Sequence, residues 1–202
     1  MELIQSIALL ASAAFPLMAS PGPATLGLAA TGAAFGVRPS VRYLVGICTG
    51  TMTLCAFTVS GLTSVFAAVP ILVSVLAAFA FAYMLWLAWR IATAPFGDQK
   101  VGATHSPSFW GGYVLAIANP KAFAAFASAT AAVTIAPASP TTDAAAKFAT
   151  LAVMIWSINT SWLLFGSVFS GALARPHTAR VVNLVFAALL LVSVGIAFWP
   201  AI

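Results

Sequence analysis

Apolar residues in this chain come in long continuous blocks, not in the alternation of a strand or the single stripe of a surface helix. A helix that crosses a bilayer needs about 20 mainly apolar residues. Six blocks reach that length: Leu3 to Phe35, Val41 to Leu62, Pro70 to Ala92, Phe109 to Ile135, Phe148 to Phe169, and Val181 to Trp199. The pattern predicts an all-α integral membrane protein with six transmembrane helices. The first and fourth blocks exceed one straight crossing and carry polar punctuation near their middles. Ser20-Pro21-Gly22-Pro23 interrupts the first and Asn119-Pro120-Lys121 the fourth. Proline removes a backbone donor and tends to end a helix at the preceding residue, so both helices are expected to be broken.

Composition agrees with this pattern. Hydrophobic residues make up 62% of the 202 and charged residues 5%, with a mean hydropathy of +1.08. A soluble domain carries about 25% charged residues, so this chain could not cover a soluble surface. The formal charge of +5 then acts as a topology signal. Arg38 and Arg42 lie between blocks one and two, Arg90 and Lys100 between three and four, Arg175 and Arg180 between five and six. The other connections hold only Lys147. Positive-inside bias puts the larger group in the cytoplasm and both termini outside. Trp86, Trp89 and Trp110 fall at cytoplasmic ends and Trp199 at an outer end, where interfacial belts are expected. No basic cluster points to nucleic acid. The first residues carry Glu2 and no Lys or Arg, so a cleaved signal peptide is not expected.

Three crossings per half, starting from opposite sides, make an inverted repeat. Residues 1–92 form the first, 93–108 a cytoplasmic linker, and 109–202 the second. Within them, Gly32-x-x-x-Gly36 and Gly46-x-x-x-Gly50 fit close helix packing. Paired broken helices in corresponding positions are the sequence pointer to a transporter site.

The chemistry concentrates at those breaks. Lys121 sits about 13 residues, roughly 20 Å, from either end of its block, too deep to reach an interface. Helices restarting after Pro23 and Pro120 would aim N-termini at it, each worth roughly half a positive charge. Such a cluster suits a small carboxylate. The expected substrate-binding residues are Pro21, Gly22, Pro23, Asn119, Pro120 and Lys121, joined by Asn159 and Trp162 from block five. A substrate ammonium would use carbonyls freed at the breaks (Ala19, Ser20, Ala118), Asn119 or Asn159, and a tryptophan face. Trp156 and Trp162 lie mid-block and are expected to face protein or a cavity. The acids Glu2, Asp98 and Asp143 all lie outside the blocks, so a carboxylate proton relay has no residue. Lys121 is the expected proton-coupling group, holding its proton beside a bound carboxylate and releasing it when the site empties. Cys48 and Cys55 are too far apart along one helix to bridge. His105 and His177 lack neighbours for a metal site, and no cofactor is expected.

Several motifs in order resemble the LysE/RhtB family of amino-acid exporters. They are Pro21-Gly22-Pro23, the glycines of block two (Gly46, Gly50, Gly61), the run Ala82-Tyr83-Met84-Leu85-Trp86-Leu87-Ala88-Trp89-Arg90, and Asn119-Pro120-Lys121. The stretch Gly36 to Arg42, the run Trp86 to Thr93, Ser108-Phe109-Trp110, and Asn159 with Trp162 are similar to the cysteine/O-acetylserine-exporting branch. The chain departs from the family at Gly50-Thr51-Met52-Thr53, where many members carry Asp or His. It departs again at Ala80-Phe81-Ala82-Tyr83, where Gly-Ala-Ala-Tyr is common. The resemblance implies export of small amino acids across a bacterial inner membrane, driven by protons. Neutral or polar substrates are favoured, because a second positive charge would go unpaired. The partners are then an amino acid, protons and the lipid bilayer, with the oligomeric state open and a homodimer among the options. The rivals are an exporter of divalent metal or another ion from the same superfamily, a membrane-embedded enzyme, and a non-transporting scaffold. The first would need ligands beyond Cys48 and Cys55. The second needs a nucleophile beside a base, which no block offers. The third leaves Lys121 unexplained.

Overall fold

A computed structural model describes residues 3–61, 70–93, 107–168 and 176–198. Glu2, Asp98, Lys100, His105, Arg175, Trp199 and most of the 93–108 linker lie outside them. The described elements are all helices: α1 (Leu3–Ala19), α2 (Pro23–Phe35), α3 (Val37–Val59), α4 (Pro70–Ala92), α5 (Phe109–Ile117), α6 (Pro120–Ala132), α7 (Pro140–Val168) and α8 (Pro176–Phe198).

Local chemistry sets the helix ends. Pro23 and Pro120 occupy first helical positions, where a missing N–H costs nothing. The Asn119 side chain caps α6 by accepting the Lys121 N–H at 3.1 Å. Ser108 caps α5 in the same way, accepting from Gly111. Gly36, at φ +78°, turns the chain between α2 and α3, a backbone region that glycine enters without strain. A Cβ added to it would meet nothing within 4 Å, so Gly36 serves as a turn and not as the packing residue the Gly32-x-x-x-Gly36 spacing suggests. α7 starts at Pro140, ahead of its apolar block. Its first turn carries Asp143, which the helix dipole favours there.

The helices interlock through glycine. A Cβ on Gly46 would lie 2.1 Å from the Phe109 carbonyl oxygen, and one on Gly50 2.6 Å from that of Tyr113; α3 and α5 therefore touch backbone to backbone. α2 and α7 cross as closely: a Cβ on Gly166 would lie 1.9 Å from the Ala29 oxygen, and one on Gly32 2.3 Å from that of Leu163. Close approach through small residues is how helices gain contact where lipid removes the hydrophobic drive between them. α3 also packs on α7, and α4 on α8. The interior is filled by Leu28, Tyr43, Ile47, Phe126, Ile155 and Leu163. The outer faces are apolar too, with Ile71, Phe79, Trp110 and Val168 exposed. An apolar exterior of this kind belongs to an integral membrane protein. α3 and α7 are each long and apolar enough to cross a bilayer; α1 with α2, and α5 with α6, qualify as pairs bent by 61° and 53°.

These contacts gather the starts of α3 and α5 and the ends of α2, α4 and α7 at one end of the bundle. Arg38, Arg42 and Arg90 lie there. Asp143 and Lys147 lie at the other, beside the end of α6.

Candidate functional site

The two bends meet. The chain leaves α1 at Ala19 and enters α2 at Pro23, which frees the Ala19, Ser20 and Pro21 carbonyls from helix bonding, while that of Gly22 accepts the Leu26 N–H at 2.8 Å. Lys121, one residue into α6, reaches across to this gap. Its Nζ donates to the Ser20 carbonyl and, at 3.3 Å, to that of Pro21. The indole of Trp162, on α7, donates to the Ala19 carbonyl at 3.2 Å. The sequence predicts Ala19 and Ser20 as acceptors for a substrate ammonium; in this structure each already holds a side chain of the second half.

Gly22 makes room for this. Its φ of −170° is ordinary extended backbone, so space is what selects glycine. A Cβ there would lie 2.8 Å from Lys121 Cδ and 2.9 Å from Nζ. The Gly22 N–H is held by the Thr25 hydroxyl at 2.9 Å, half of a capping box. That hydroxyl in turn donates to the Gly22 carbonyl at 3.1 Å.

Beside the lysine is a cavity with about 50 Å³ of room for water centres, where one water needs roughly 10–15 Å³. Gly22, Asn119, Lys121 and Asn159 all line it. Thr51 of α3 and Phe126 of α6 complete the polar and aromatic walls. Both breaks and α7 thus border one space. Asn119 and Asn159 are buried, and Lys121 is half-buried. The Asn159 amide donates to Ile155 of its own helix at 2.8 Å, which fixes its rotamer. Pro21 and Pro120 are exposed and Pro23 is buried; none of the three lines the cavity. Trp162 does not line it either, and meets the first break only through its bond to the Ala19 carbonyl. Trp156 departs from expectation: it is 38% exposed and does not line the cavity.

Two wall residues, Thr25 and Thr51, have no place among the sequence-predicted set. Thr25 was detectable as a threonine three residues after a helix-starting glycine. Thr51 gives no such signal, since its hydroxyl bonds back to Ile47 at 2.7 Å like any helical threonine.

The arrangement offers an amino head, carbonyl acceptors and carboxamides around a small void. It is suited to holding a small zwitterion.

Comparison with known proteins agrees with this chemistry. The LysE type translocator family matches residues 15–200. A cysteine/O-acetylserine efflux protein of Salmonella paratyphi A is 32% identical over 178 residues, spanning 85% of this chain and 86% of the relative. One from Escherichia coli O1:K1 is 31% identical over 179 residues, with the same coverage. No solved structure matches.

Proposed function

The chain belongs to the LysE type translocator family, and from that premise we propose that it exports small neutral or polar amino acids, cysteine and O-acetylserine among them. It does so from the cytoplasm across a bacterial inner membrane. α1 with α2 and α5 with α6 form two broken crossings, and α3, α4, α7 and α8 form the other four. Residues 1–92 and 109–202 are then inverted repeats with both termini periplasmic. What supports the repeat is the exchange of contacts: α3 packs on the broken pair of the second half, and its counterpart α7 packs on that of the first. What supports the orientation is the gathering of Arg38, Arg42 and Arg90 at one end.

In this reading the substrate carboxylate binds Lys121, and the cavity opens to each side in turn. Lys121 is the group assigned to coupling, export being driven when the outward movement of substrate is exchanged for the inward movement of a proton. Gly22 and Asn119 shape the two ends of the site and Asn159 its third wall, while Trp162 holds the Ala19 carbonyl at the first break. The similarity to cysteine/O-acetylserine efflux proteins supports the substrate class. The observation that carries the reading is that the half-buried lysine of one half meets the broken backbone of the other in one cavity.

The test is cysteine and O-acetylserine transport in proteoliposomes, with and without an imposed pH gradient. Lys121→Met is expected to lower transport by at least about tenfold and to abolish the response to the gradient. Lys121→Arg retains a fixed positive charge and is expected to bind substrate while losing the gradient response. Full pH-sensitive transport by Lys121→Met would overturn the proposal.

A further inference from the structure

Resting on the carboxylate-binding role given to Lys121, we infer that its amino head is also a built-in competitor for the substrate's ammonium, so that a zwitterion enters by exchanging partners with it. The Ser20 and Pro21 carbonyls converge on one nitrogen, and that nitrogen belongs to Lys121. An R–NH3+ group is the donor such a nest accepts, and the lysine shows what fits it. A bare amine would have to displace a tethered competitor and would leave Lys121 without an acceptor. A bare carboxylate would draw Lys121 away, leaving the Pro21 carbonyl unmatched and that of Ser20 with only the 3.4 Å bond from the Thr25 hydroxyl. Either half-ligand therefore leaves a polar group without its partner in a partly buried place, and that is costly. A molecule bearing ammonium and carboxylate on one carbon replaces both sides of the bond at once. The site thus selects for the zwitterion before any side chain is read.

The exchange also breaks a tie between the halves. In this structure the bond from Lys121 on α6 to the Ser20–Pro21 gap fastens one broken helix to the other. A bound zwitterion becomes the bridge, with Lys121 on its carboxylate and the nest on its ammonium. Lys121 remains free to give up a proton during the cycle, because an amine keeps two N–H groups for two carbonyls.

Gly22 supplies a handle on this exchange separate from charge. A Cβ at Gly22 falls on the flexible end of the Lys121 side chain, so Gly22→Ala displaces the lysine from the nest without removing it. Binding of three probes to the purified full-length protein, by calorimetry, tests the idea: cysteine, cysteamine (no carboxylate) and 3-mercaptopropionate (no ammonium). On the natural sequence both half-ligands are expected to bind at least about tenfold more weakly than cysteine. Lys121→Met vacates the nest, so cysteamine is expected to bind several-fold tighter than before, while cysteine and 3-mercaptopropionate weaken. Gly22→Ala is expected to tighten both half-ligands. If cysteamine gains nothing from either variant, Lys121 does not compete for the nest and the exchange is overturned, with the carboxylate reading left standing. If cysteine and 3-mercaptopropionate bind Lys121→Met as before, the carboxylate reading itself falls. Melting temperatures of both variants, taken alongside, separate lost binding from lost folding.

Discussion

Asp143 ties the start of α7 to the turn that follows α6. It accepts N–H groups from Ile135 and Ala136 and pairs with Lys147 at 2.7 Å. Lys147 itself donates to the Thr130 carbonyl at 3.0 Å. Burial pushes the Asp143 carboxyl up, but the hydrogen bonds from Lys147, Ala136 and Ile135 outweigh it and hold the group below the usual carboxylate range. Its folded value is thus lower than its unfolded one, about 3.9. The stabilisation it supplies is therefore complete above roughly pH 4 and is lost as pH falls through the folded value. Asp143→Asn is expected to lower the melting temperature at pH 7, with a cost of about 1–3 kcal/mol for leaving a buried charged donor short of its partner. The same variant is expected to flatten the acid limb of the stability profile. Thermal melts at several pH values check both; parallel profiles for the two proteins would show that the ion pair contributes nothing. From sequence, Lys147 read as a loop charge. Its burial follows from the helix starting at Pro140, which sets Asp143 and Lys147 one turn apart on one face, and that start lies in polar sequence outside the apolar block.

Between helices, the same glycine spacing carries two different meanings. Gly46 and Gly50 both meet the α5 backbone, as a packing motif predicts, whereas Gly32 packs and Gly36 turns. Spacing alone could not tell them apart, because the distinction depends on which glycine falls beyond the last helical residue. Gly166 has no partner glycine at a telling distance in its own helix, so its contact with Ala29 was illegible. Gly166→Ala is expected to force α2 and α7 apart, at the roughly 1–3 kcal/mol typical of overpacking. Gly195→Ala, on α8 where nothing lies within 4 Å, is expected to be neutral or to stabilise by up to about 1 kcal/mol through helix propensity. Comparative melting in detergent checks the pair. Equal effects at both positions would mean that the α2–α7 crossing is not close-packed.

For the molecule as a whole, the apolar blocks and the two proline punctuations were legible because lipid imposes length and leaves no substitute for backbone hydrogen bonds. Lys121 stood out because one charge in so apolar a setting has no neutral explanation. Its pairing with Ser20, and that of Trp162 with Ala19, had no local signal: each joins segments more than a hundred residues apart. Trp156 and Trp162 illustrate the limit, being equally central in one block, yet only Trp162 bonds the backbone of the first half while Trp156 is exposed. The six-crossing arrangement makes a direct prediction about sidedness. Cysteines placed at Val37 and Thr142, against the buried natural thiols Cys48 and Cys55, should react with a membrane-impermeant maleimide from opposite faces. Val37→Cys should label in inside-out vesicles and Thr142→Cys in right-side-out ones. Labelling of both from one face would contradict the arrangement.

The bond from Lys121 to Ser20 spans 101 residues of sequence, and that distance orders the protein's birth. α1 and α2 leave the ribosome long before the residues that satisfy the gap between them exist. Until Trp162 is synthesised, the Ala19 oxygen must be sheltered by water or by the insertion machinery, since hydrocarbon offers it no donor, and until Lys121 is made the Ser20 oxygen has only the Thr25 hydroxyl, at 3.4 Å. A product truncated after α4 would keep that gap open permanently. It would be a target for membrane proteolysis and not a half-sized carrier.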